Sequence, residues 1–412
     1  MAQRPRDVTP VSVITVDCAA VDFDLSGDQQ ALRDAAATLL DGRAGHEALR
    51  ARVGAGVVVG TLPGAGDAPA SAPEHDGPAA VAPHGYDTSV WSAMADQGWL
   101  AIEIPEDEGG LGLGLVEVAV LCEELGRRLV AAPFLPSVVA LGALCGPEAR
   151  ENAGTKEWRE ALSRGTAVGC VVMAPDGRLS ITSAGSQGEV QLHGQAPPTL
   201  YAPSADVAVV VAGPGVYAVD LGSIGQHDPL PAMDRTRELG VLTFDATPAV
   251  RVGEADAAAL LLDRAATLAS AEMLGAADRV LWMSVEYAKD RVQFGKPIGT
   301  FQAVKHMLAD ALVDVEGMRS TVYYAAWSAA AGDQDRSLSA SMAKAWCSDA
   351  SHRVMGVGLQ VHGGIGFTWE HDMHLYVKRA QLDQVSFGDA SFHRERIARM
   401  LRERLETDHS LS

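Results

Sequence analysis

The 412-residue sequence is poor in basic residues, in cysteines and in long apolar runs. Its 33 Lys and Arg against 53 Asp and Glu give a formal charge of -20, which argues against general nucleic-acid binding because phosphates bind to Lys and Arg. No apolar run reaches the roughly 18 residues that a membrane-spanning helix needs. The five cysteines are scattered without a CxxC spacing, so we expect reduced thiols in a cytoplasmic protein and no cysteine metal site.

Composition and periodicity divide the sequence into segments of different character. Apolar residues make up 47% and charged residues 21%, the balance of a folded globular protein. We predict an irregular leader at 1–20, an N-terminal helical domain at 21–165, a middle β-domain at 166–250 and a C-terminal helical bundle at 251–412. Within the first domain, the Ala-, Pro- and Gly-rich stretch 53–88 has too few large side chains to offset the entropy of ordering, so we expect a flexible insertion. The predicted fold class is α+β.

Residue spacing within the segments supports this division. The stretch 113–127 has helical periodicity and ends near Gly126. Short runs rich in Val and Thr predict strands at 170–173, 179–182, 190–192, 207–211, 216–219 and 241–244. Apolar residues three or four positions apart predict a long helix after Gly299, and these residues are Phe301, Val304, Leu308, Leu312, Val315, Met318 and Val322. A second long helix is predicted from about 335 to 360.

Two segments of the last domain combine charged, amide and glycine residues in a way that suits a phosphate-bearing ligand. The first reads Arg291-Val-Gln-Phe-Gly-Lys-Pro-Ile-Gly-Thr-Phe-Gln302, and the second reads Gln360-Val-His-Gly-Gly-Ile-Gly-Phe-Thr368. A guanidinium forks onto a phosphate, and backbone amides at the start of a new helix add further donors. The glycines of the second segment let the backbone approach a ligand closely. That segment follows a predicted helix rather than a strand, so it is not a Rossmann fingerprint.

In this order and spacing, the two segments resemble the acyl-CoA dehydrogenase family. The resemblance covers nearly the whole chain after residue 20 and includes WSAMADQGWLAIEIPEDEGGLGLG at 91–114 and EELGRRL at 123–129. It implies an N-terminal helical domain, a middle β-domain and a C-terminal four-helix bundle. It also implies FAD as cofactor and an acyl-CoA thioester as substrate, from which a base removes the α-proton while the β-hydrogen leaves as hydride to the flavin. The implied electron acceptor is an electron-transfer flavoprotein.

The same resemblance assigns a set of residues to a cofactor clamp. Their implied shared role is contact with the adenosine diphosphate end of an FAD that a neighbouring subunit mainly holds. They are Arg291, Phe294, Gln302, Gln360, Gly363 and Gly364. For the two aromatic residues of the first segment, Phe294 and Phe301, core packing is the competing interpretation.

The positions of the family's catalytic base hold no carboxylate in this sequence. Many members place a Glu-Gly pair beyond the glycine turn, and an ungapped count brings that Glu to Phe387, which cannot accept a proton. Other members place the Glu on the first long helix of the bundle, and a count back from Arg291 brings it to Ala265. Two weaker carboxylate candidates are left. Asp389 lies two residues beyond the first position, and Asp263 would need a two-residue insertion that turns the helix by about 200°.

The segments that line the flavin ring in the family are altered as well. The family pattern has Thr-Glu-Pro followed by Gly-Ser-Asp, and later an aromatic residue followed by Ile-Thr-Asn. Here the first region reads Val172-Met-Ala-Pro-Asp-Gly177 and the second reads Gly194-Gln-Ala-Pro-Pro-Thr-Leu-Tyr201. In some hetero-oligomeric members, only one of two related chains completes the flavin and base site. This chain resembles the non-catalytic partner, whose clamp is intact while its own flavin half-site is degraded.

Three other functions stay open at the level of the sequence. The chain could be a self-sufficient homotetrameric acyl-CoA dehydrogenase that uses Asp263 or Asp389 as a displaced base. It could be a redox-inactive protein that binds acyl-CoA or acts as a scaffold, or, by fold analogy alone, a flavin-dependent oxygenase. No metal site is expected, since His371, Asp372 and His374 lack a clear further ligand.

Overall fold

The computed structural model describes residues 25–55, 85–183, 189–223 and 227–410. The predicted leader at 1–20 and most of the predicted insertion at 53–88 lie outside the described residues. The first helices are α1 (Gly27–Arg43), α2 (His46–Ala55), α3 (Thr88–Asp96), α4 (Leu115–Arg127), α5 (Phe134–Leu144), α6 (Pro147–Glu151) and α7 (Gly154–Ser163). The strands that follow are β1 (Gly169–Ala174), β2 (Leu179–Ser183), β3 (Glu189–Gln195), β4 (Thr199–Leu200), β5 (Val207–Ala212), β6 (Gly215–Asp220), β7 (His227–Leu230) and β8 (Leu239–Gly253).

Long helices make up the rest of the described chain. They are α8 (Ala255–Asp290), α9 (Gln302–Ala330), α10 (Arg336–His362), α11 (Met373–Val385) and α12 (Ala390–Ser410), and the short strands β9 (Val292–Gln293) and β10 (Lys296–Pro297) lie between α8 and α9. This succession of helices, strands and helices confirms the predicted α+β class. Within the described ranges, no helix is both long enough and apolar enough to cross a membrane.

The middle region forms one curled sheet, with eight strands among the described residues. Its order is β1-β5-β6-β8-β3-β2, and β1 runs parallel to β5 while the other pairs are antiparallel. The 15-residue strand β8 also pairs with β4 and β7. Because Thr199 and Leu200 of β4 lie opposite Gly240 and Leu239 of β8, the residue after β4 comes close to the loop before β8.

Helices α4 and α8 cross with their backbones in contact, which joins the first domain to the bundle. A Cβ atom on Gly275 of α8 would lie 1.8 Å from the Glu123 carbonyl oxygen, and one on Gly126 of α4 would lie 2.1 Å from the Glu272 carbonyl oxygen. The buried Glu123 carboxylate then accepts hydrogen bonds from Arg319 of α9 at 2.8 Å and from Arg127 at 2.8 Å. Small residues at the crossing therefore allow a buried ion cluster to link α4, α8 and α9.

The apolar stripe of α9 is only partly covered by this chain. Val315, Met318 and Val322 are fully buried, whereas Leu312 is 42% exposed and the neighbouring Val313 is 68% exposed. The first half of α9 thus leaves apolar surface open next to the segment that carries the predicted clamp.

Candidate functional site

A short hairpin at the end of α8 carries the first predicted segment. The backbone N–H of Arg291 donates to the Tyr287 carbonyl at 2.9 Å and closes the last turn of α8. Strands β9 and β10 are joined by only two residues, Phe294 and Gly295, whose φ angles are +52° and +76°. Two-residue hairpins of type I′ need left-handed backbone at both positions, which a bulky aromatic residue rarely adopts. The fold therefore holds Phe294 at a strained tip.

Phe294 does not pack in the core of this chain. Its side chain is 91% exposed, and its ring meets that of Phe301 edge-on with 6.1 Å between the centroids. The structure therefore rules out core packing as the interpretation of Phe294, whereas Phe301 is half-buried. A strained backbone that presents an exposed ring is typical of a functional site rather than of a packed loop.

The start of α9 presents Gln302 and free backbone amides. Gln302 is exposed at the first residue of the helix, and the N-cap residue is Phe301, whose side chain cannot accept a hydrogen bond. The first amides of this 29-residue helix therefore carry partial positive charge without a side-chain cap. The preceding turn is held against α8, because a Cβ on Gly299 would lie 2.9 Å from the Ala288 carbonyl oxygen.

The second predicted segment ends α10. Gln360 is exposed on the last turn, and Gly363 ends the helix with φ +64° and ψ -143°. That backbone conformation is open only to glycine. No described atom lies within 4 Å of a Cβ built on Gly363 or on Gly364. The glycine turn thus exposes its backbone to a ligand from outside the chain.

The two segments meet at the same end of the bundle. The ring of Tyr287, one turn before Arg291, stacks on the ring of His362, one residue before the glycine turn, with 4.6 Å between the centroids. His362 is buried, its Nδ1 lies 2.8 Å from the Gly358 carbonyl oxygen, and burial lowers its pKa. The neutral ring then acts as a packing surface that fixes the glycine turn against α8.

The loop between α11 and α12 contains the position where many family members place the base. Phe387 is half-buried against the core and has φ +58°. The buried Lys344 ammonium donates to the carbonyl oxygens of Gln384 at 2.9 Å and Gly388 at 2.8 Å, on either side of it. Asp389 is exposed and accepts the amide of Phe392 at 2.8 Å, so it caps α12. The structure therefore holds this loop firmly and gives Asp389 a structural partner.

The alternative base position on α8 is equally closed. Ala265 is fully buried inside α8, which runs without interruption. The Asp263 carboxylate is buried and accepts from Arg396 Nη1 at 2.5 Å and from Ser337 Oγ at 2.5 Å. Neither predicted base position thus offers a free carboxylate.

A buried tyrosine occupies the end of the altered flavin-lining segment. Tyr201 has φ +55° and is fully buried. The Arg237 guanidinium lies 5.7 Å from its ring centroid and contacts its hydroxyl at 3.5 Å. Arg237 also donates to the Glu272 carboxylate of α8 and to the Ala132 carbonyl oxygen. The side chains of Arg237 and Glu272, together with the Ala132 backbone of the first domain, therefore fill the space beside this segment.

A second buried ion pair lies next to the first. Arg379 of α11 and Asp234 are both fully buried at their side chains, and they are joined by a 2.7 Å hydrogen bond. Asp383, one turn further along α11, is buried, and burial followed by the nearby Glu272 charge raises its pKa to about 7. The cluster of Tyr201, Arg237, Glu272, Arg379, Asp234 and Asp383 is called the buried charge cluster below.

The buried charge cluster was not predicted from the sequence. The signal lies in the run Asp234-Arg-Thr-Arg237 directly before β8 and in the i, i+4 spacing of Arg379 and Asp383. Charged residues of this kind are normally interpreted as solvated, and only the packing of three domains around them removes water.

A cleft of about 830 Å³ lies at the start of α8. Leu260 and Leu261 line it together with the ion pair of Glu103 and Arg264. Neither Ala265 nor Phe387 lies on its wall. The cleft therefore does not open onto the two family base positions, although the candidate Asp263 lies on its wall.

The histidines after the glycine turn do not form a metal centre. Asp372 accepts hydrogen bonds from Arg50 Nε at 2.6 Å and lies beside His46. Among the residues that the structure describes, no group of three or more His, Cys, Asp or Glu side chains is placed to hold a metal ion.

Comparison with known proteins gives consistent matches along the chain. The acyl-CoA dehydrogenase N-terminal domain matches residues 72–169, and the acyl-CoA dehydrogenase C-terminal domain matches residues 255–402. The acyl-CoA dehydrogenase IpdE2 of Mycobacterium tuberculosis is 36% identical over 315 residues, which cover 74% of this chain and 86% of the relative.

Two solved structures of related proteins match almost the whole chain. The ChsE4-ChsE5 complex from Mycobacterium tuberculosis has 28% identity and a TM-score of 0.78, with 93% of this chain and 99% of the other covered. A variant of the Tcur3481-Tcur3483 steroid ACAD has 28% identity and a TM-score of 0.79, with 92% and 99% covered. Acyl-CoA dehydrogenases are FAD-dependent oxidoreductases that act on acyl-CoA thioesters. The domain matches, the sequence identity and the shared fold together establish that this chain belongs to the acyl-CoA dehydrogenase family.

Proposed function

We propose that this chain is the clamp subunit of a hetero-oligomeric acyl-CoA dehydrogenase. A related partner chain would supply the flavin-ring pocket and the catalytic base. One observation carries the proposal: the residues assigned to the clamp are exposed, except for the half-buried Gly363, whereas buried side chains fill the space at the end of the chain's own flavin-lining segment. A chain with that asymmetry can lend a half-site to a neighbour but has no room to complete its own.

The exposed residues fit the adenosine diphosphate end of FAD. Arg291 offers a guanidinium to a diphosphate, and the uncapped amides at the start of α9 add donors beside it. Gln302 and Gln360 offer amides to ribose or adenine edges, and the turn at Gly363 brings backbone close. When bound, FAD supplies the hydride acceptor of the α,β-dehydrogenation.

The interior of this chain does not fit the flavin ring. Tyr201 and Arg237 are fully or almost fully buried where the family lines that ring, and Arg237 is paired with Glu272. Displacing them would leave a buried charge without its partner, which costs several kcal/mol. The role of this chain is therefore to bind and orient the distal end of the cofactor.

The partner, substrate and acceptor follow from the relatives as proposals. The ChsE4-ChsE5 complex names two different chains, which supports a related acyl-CoA dehydrogenase subunit as partner. The name steroid ACAD supports an acyl-CoA whose acyl group is bulky and polycyclic. We further propose an electron-transfer flavoprotein as acceptor, and a cytoplasmic location in keeping with the free thiols of Cys122, Cys145, Cys170 and Cys347.

The test is the flavin content and solution mass of the full chain, purified alone and co-expressed with a family member that carries Glu at a base position. We expect no bound flavin in the chain alone and one FAD per two chains in the mixed complex. A full complement of FAD in the homo-oligomer, bleached by an acyl-CoA, would contradict the proposal and favour a displaced base in a homotetramer.

A matched pair of arginine variants tests the clamp within the mixed complex. Arg291→Gln removes a charge-assisted contact and should weaken FAD retention about tenfold or more. Arg394→Gln is the control. It removes an exposed arginine that lies away from the clamp and pairs with Asp349 at 2.7 Å, so FAD retention should be unchanged. Equal retention in both variants would exclude Arg291 from the clamp.

A further inference from the structure

A group of cations surrounds Trp369, six residues beyond Gly363. Trp369 lies between α10 and α11, and its side chain is 53% exposed. Arg50 comes from α2, Arg235 from the loop before β8 and Lys378 from α11. Three parts of the chain that are distant in sequence thus bring one cation each to the same tryptophan, Arg235 and Lys378 to its ring and Arg50 to its carbonyl oxygen. These four residues are called the Trp369 cluster.

The indole and its backbone hold the cations in place. Arg235 Cζ lies 5.1 Å and Lys378 Nζ lies 4.8 Å from the centroid of the Trp369 ring. Arg50 donates to the Trp369 carbonyl oxygen and, through Nε, to the Asp372 carboxylate at 2.6 Å. Cation–π contacts and these hydrogen bonds fix positions that mutual repulsion would otherwise spread apart.

The cluster has more hydrogen-bond donors than its neighbours accept. Arg50 Nη2 and Arg235 Nη1 are buried and find no acceptor in the described part of the chain. Asp372 is shared between Arg50 and His46. Burial first, and then the Arg235 charge, lowers the pKa of Lys378 against the opposing charge of Asp234.

The neighbouring His374 lies within reach of the same cations. Its ring lies 4.7 Å from that of Trp369. Burial, followed by the charges of Lys378 and Arg50 and opposed by that of Asp372, lowers its pKa to about 4. Three grouped cations, two of them with unpartnered N–H donors, are notable in a chain whose formal charge is -20, and they favour an anionic ligand.

We propose that the Trp369 cluster is a second anion-binding point, which takes the phosphates of an adenine nucleotide that enters beside the glycine turn. The cluster is joined to that turn, because the loop runs directly from Gly363 to Trp369 and the His371 ring lies 4.5 Å from that of His362. Two arginines with free N–H groups and a lysine match the several oxygens of a diphosphate.

The adenine nucleotide has two sources in this family. The identity of the nucleotide rests on the proposed function, whereas the anion-binding point itself does not. FAD carries an adenosine diphosphate, and coenzyme A carries an adenosine diphosphate with an additional 3′-phosphate. The shared chemistry is a phosphorylated adenosine, and the additional phosphate distinguishes the two sources.

The test is isothermal titration of the isolated full chain with ADP, coenzyme A and FAD. The double variant Arg235→Gln with Lys378→Gln should weaken binding of ADP or coenzyme A at least tenfold. The single variant Lys378→Gln, at a half-buried side chain, should weaken it severalfold without a risk to folding. Arg353→Gln is the matched control, since that arginine lies 5.5 Å from the Trp346 centroid in a separate cation–π pair.

The outcomes distinguish coenzyme A from FAD as the ligand, and nucleotide binding at the Trp369 cluster from a structural role of its cations. Tighter binding of coenzyme A than of ADP assigns the cluster to coenzyme A, whereas equal binding of ADP and FAD, with coenzyme A no tighter, assigns it to FAD. Unchanged affinity in both cluster variants, or no binding of any of the three probes at millimolar concentration, would overturn the inference and leave the cations as supports for the indole.

A parallel titration of Arg291→Gln separates this inference from the proposed function. If only Arg291→Gln loses nucleotide binding, the phosphates bind at the clamp and not at the Trp369 cluster. Loss in the cluster variants alone would support the cluster and count against Arg291.

Discussion

At the scale of single residues, Lys344 shows how a buried charge can hold a loop. Its side chain is fully buried, and its ammonium group lies 2.9 Å from the Gln384 carbonyl oxygen and 2.8 Å from that of Gly388. Burial lowers its pKa from 10.5 to about 8. Lys344 thus fixes the loop that contains Phe387, and the free-energy cost of burying its charge depends on pH.

We predict that the Lys344→Met variant reveals this cost. Below about pH 8 the lysine is charged in both the folded and the unfolded states, and its burial is unfavourable. Between about pH 8 and 10.5 only the unfolded state keeps the proton, so the unfolding free energy of the wild type rises with pH. Relative to Lys344→Met, this rise should total about 3 kcal/mol, measured by urea denaturation across that range.

Lys289→Met provides the control for this measurement. Lys289 is 62% exposed at its side chain and pairs with Glu286, so its removal should not change the slope of stability against pH. The same slope in Lys344→Met and wild type would show that the pKa of Lys344 is equal in the folded and unfolded proteins, which would contradict the prediction.

At the scale of secondary-structure elements, the contact of α4 with α8 depends on two glycines. The Cβ that Gly275 lacks would lie 1.8 Å from the Glu123 carbonyl oxygen, so the two helix backbones could not stay at their present distance. The crossing also positions Glu272 toward Arg237 and Glu123 toward Arg319. A change in the spacing of α4 and α8 would therefore disturb both ion clusters.

We predict that Gly275→Ala lowers the unfolding free energy by about 3 kcal/mol or more, because overpacking forces the helices apart and weakens their buried ion pairs. Chemical denaturation gives the value. Gly356→Ala in α10 is the matched control, since no described atom lies within 4 Å of a Cβ at that position. It should be neutral or stabilise by up to about 1 kcal/mol, as expected for Gly→Ala in a helix. A similar loss in both variants would contradict the close-contact explanation.

At the scale of the whole molecule, the chain has a closed interior and an open end. The buried charge cluster ties the sheet, the first domain and the bundle together beside Tyr201, the last residue of the segment that the family resemblance assigns to the flavin ring. The exposed hairpin at Phe294, the uncapped start of α9 and the glycine turn lie at one end of the bundle. The open apolar half of the α9 stripe adjoins that end. This distribution favours a role at a subunit interface over a complete active site within this chain.

We predict that restoring the carboxylate is not enough to restore catalysis. Phe387→Glu in the isolated chain should bind no flavin and show no acyl-CoA-dependent bleaching, because Tyr201 and Arg237 still fill the space beside the flavin-lining segment. The absorbance spectrum before and after addition of an acyl-CoA provides the measurement. Phe387→Gln controls for the loss of the aromatic ring, and flavin uptake with bleaching in Phe387→Glu alone would contradict the closed interior.

The sequence by itself determined the order of helical and strand regions, the family, and the absence of Glu at positions 265 and 387. These features depend on local periodicity and on residue identity at fixed spacing, which can be read along a chain. It also assigned Arg291, Phe294, Gln302, Gln360, Gly363 and Gly364 to a clamp, and the structure places their segments together through Tyr287 and His362.

Only the tertiary structure decided which charges are buried and which are free. Asp263 and Glu272 are both helical carboxylates in the sequence, yet one pairs with Arg396 from α12 and the other with Arg237 from the loop before β8. Arg50, Arg235 and Trp369 are more than 100 residues apart in sequence but share one cluster. Burial and pairing arise from contacts between distant segments, and these exist only when the three domains pack together.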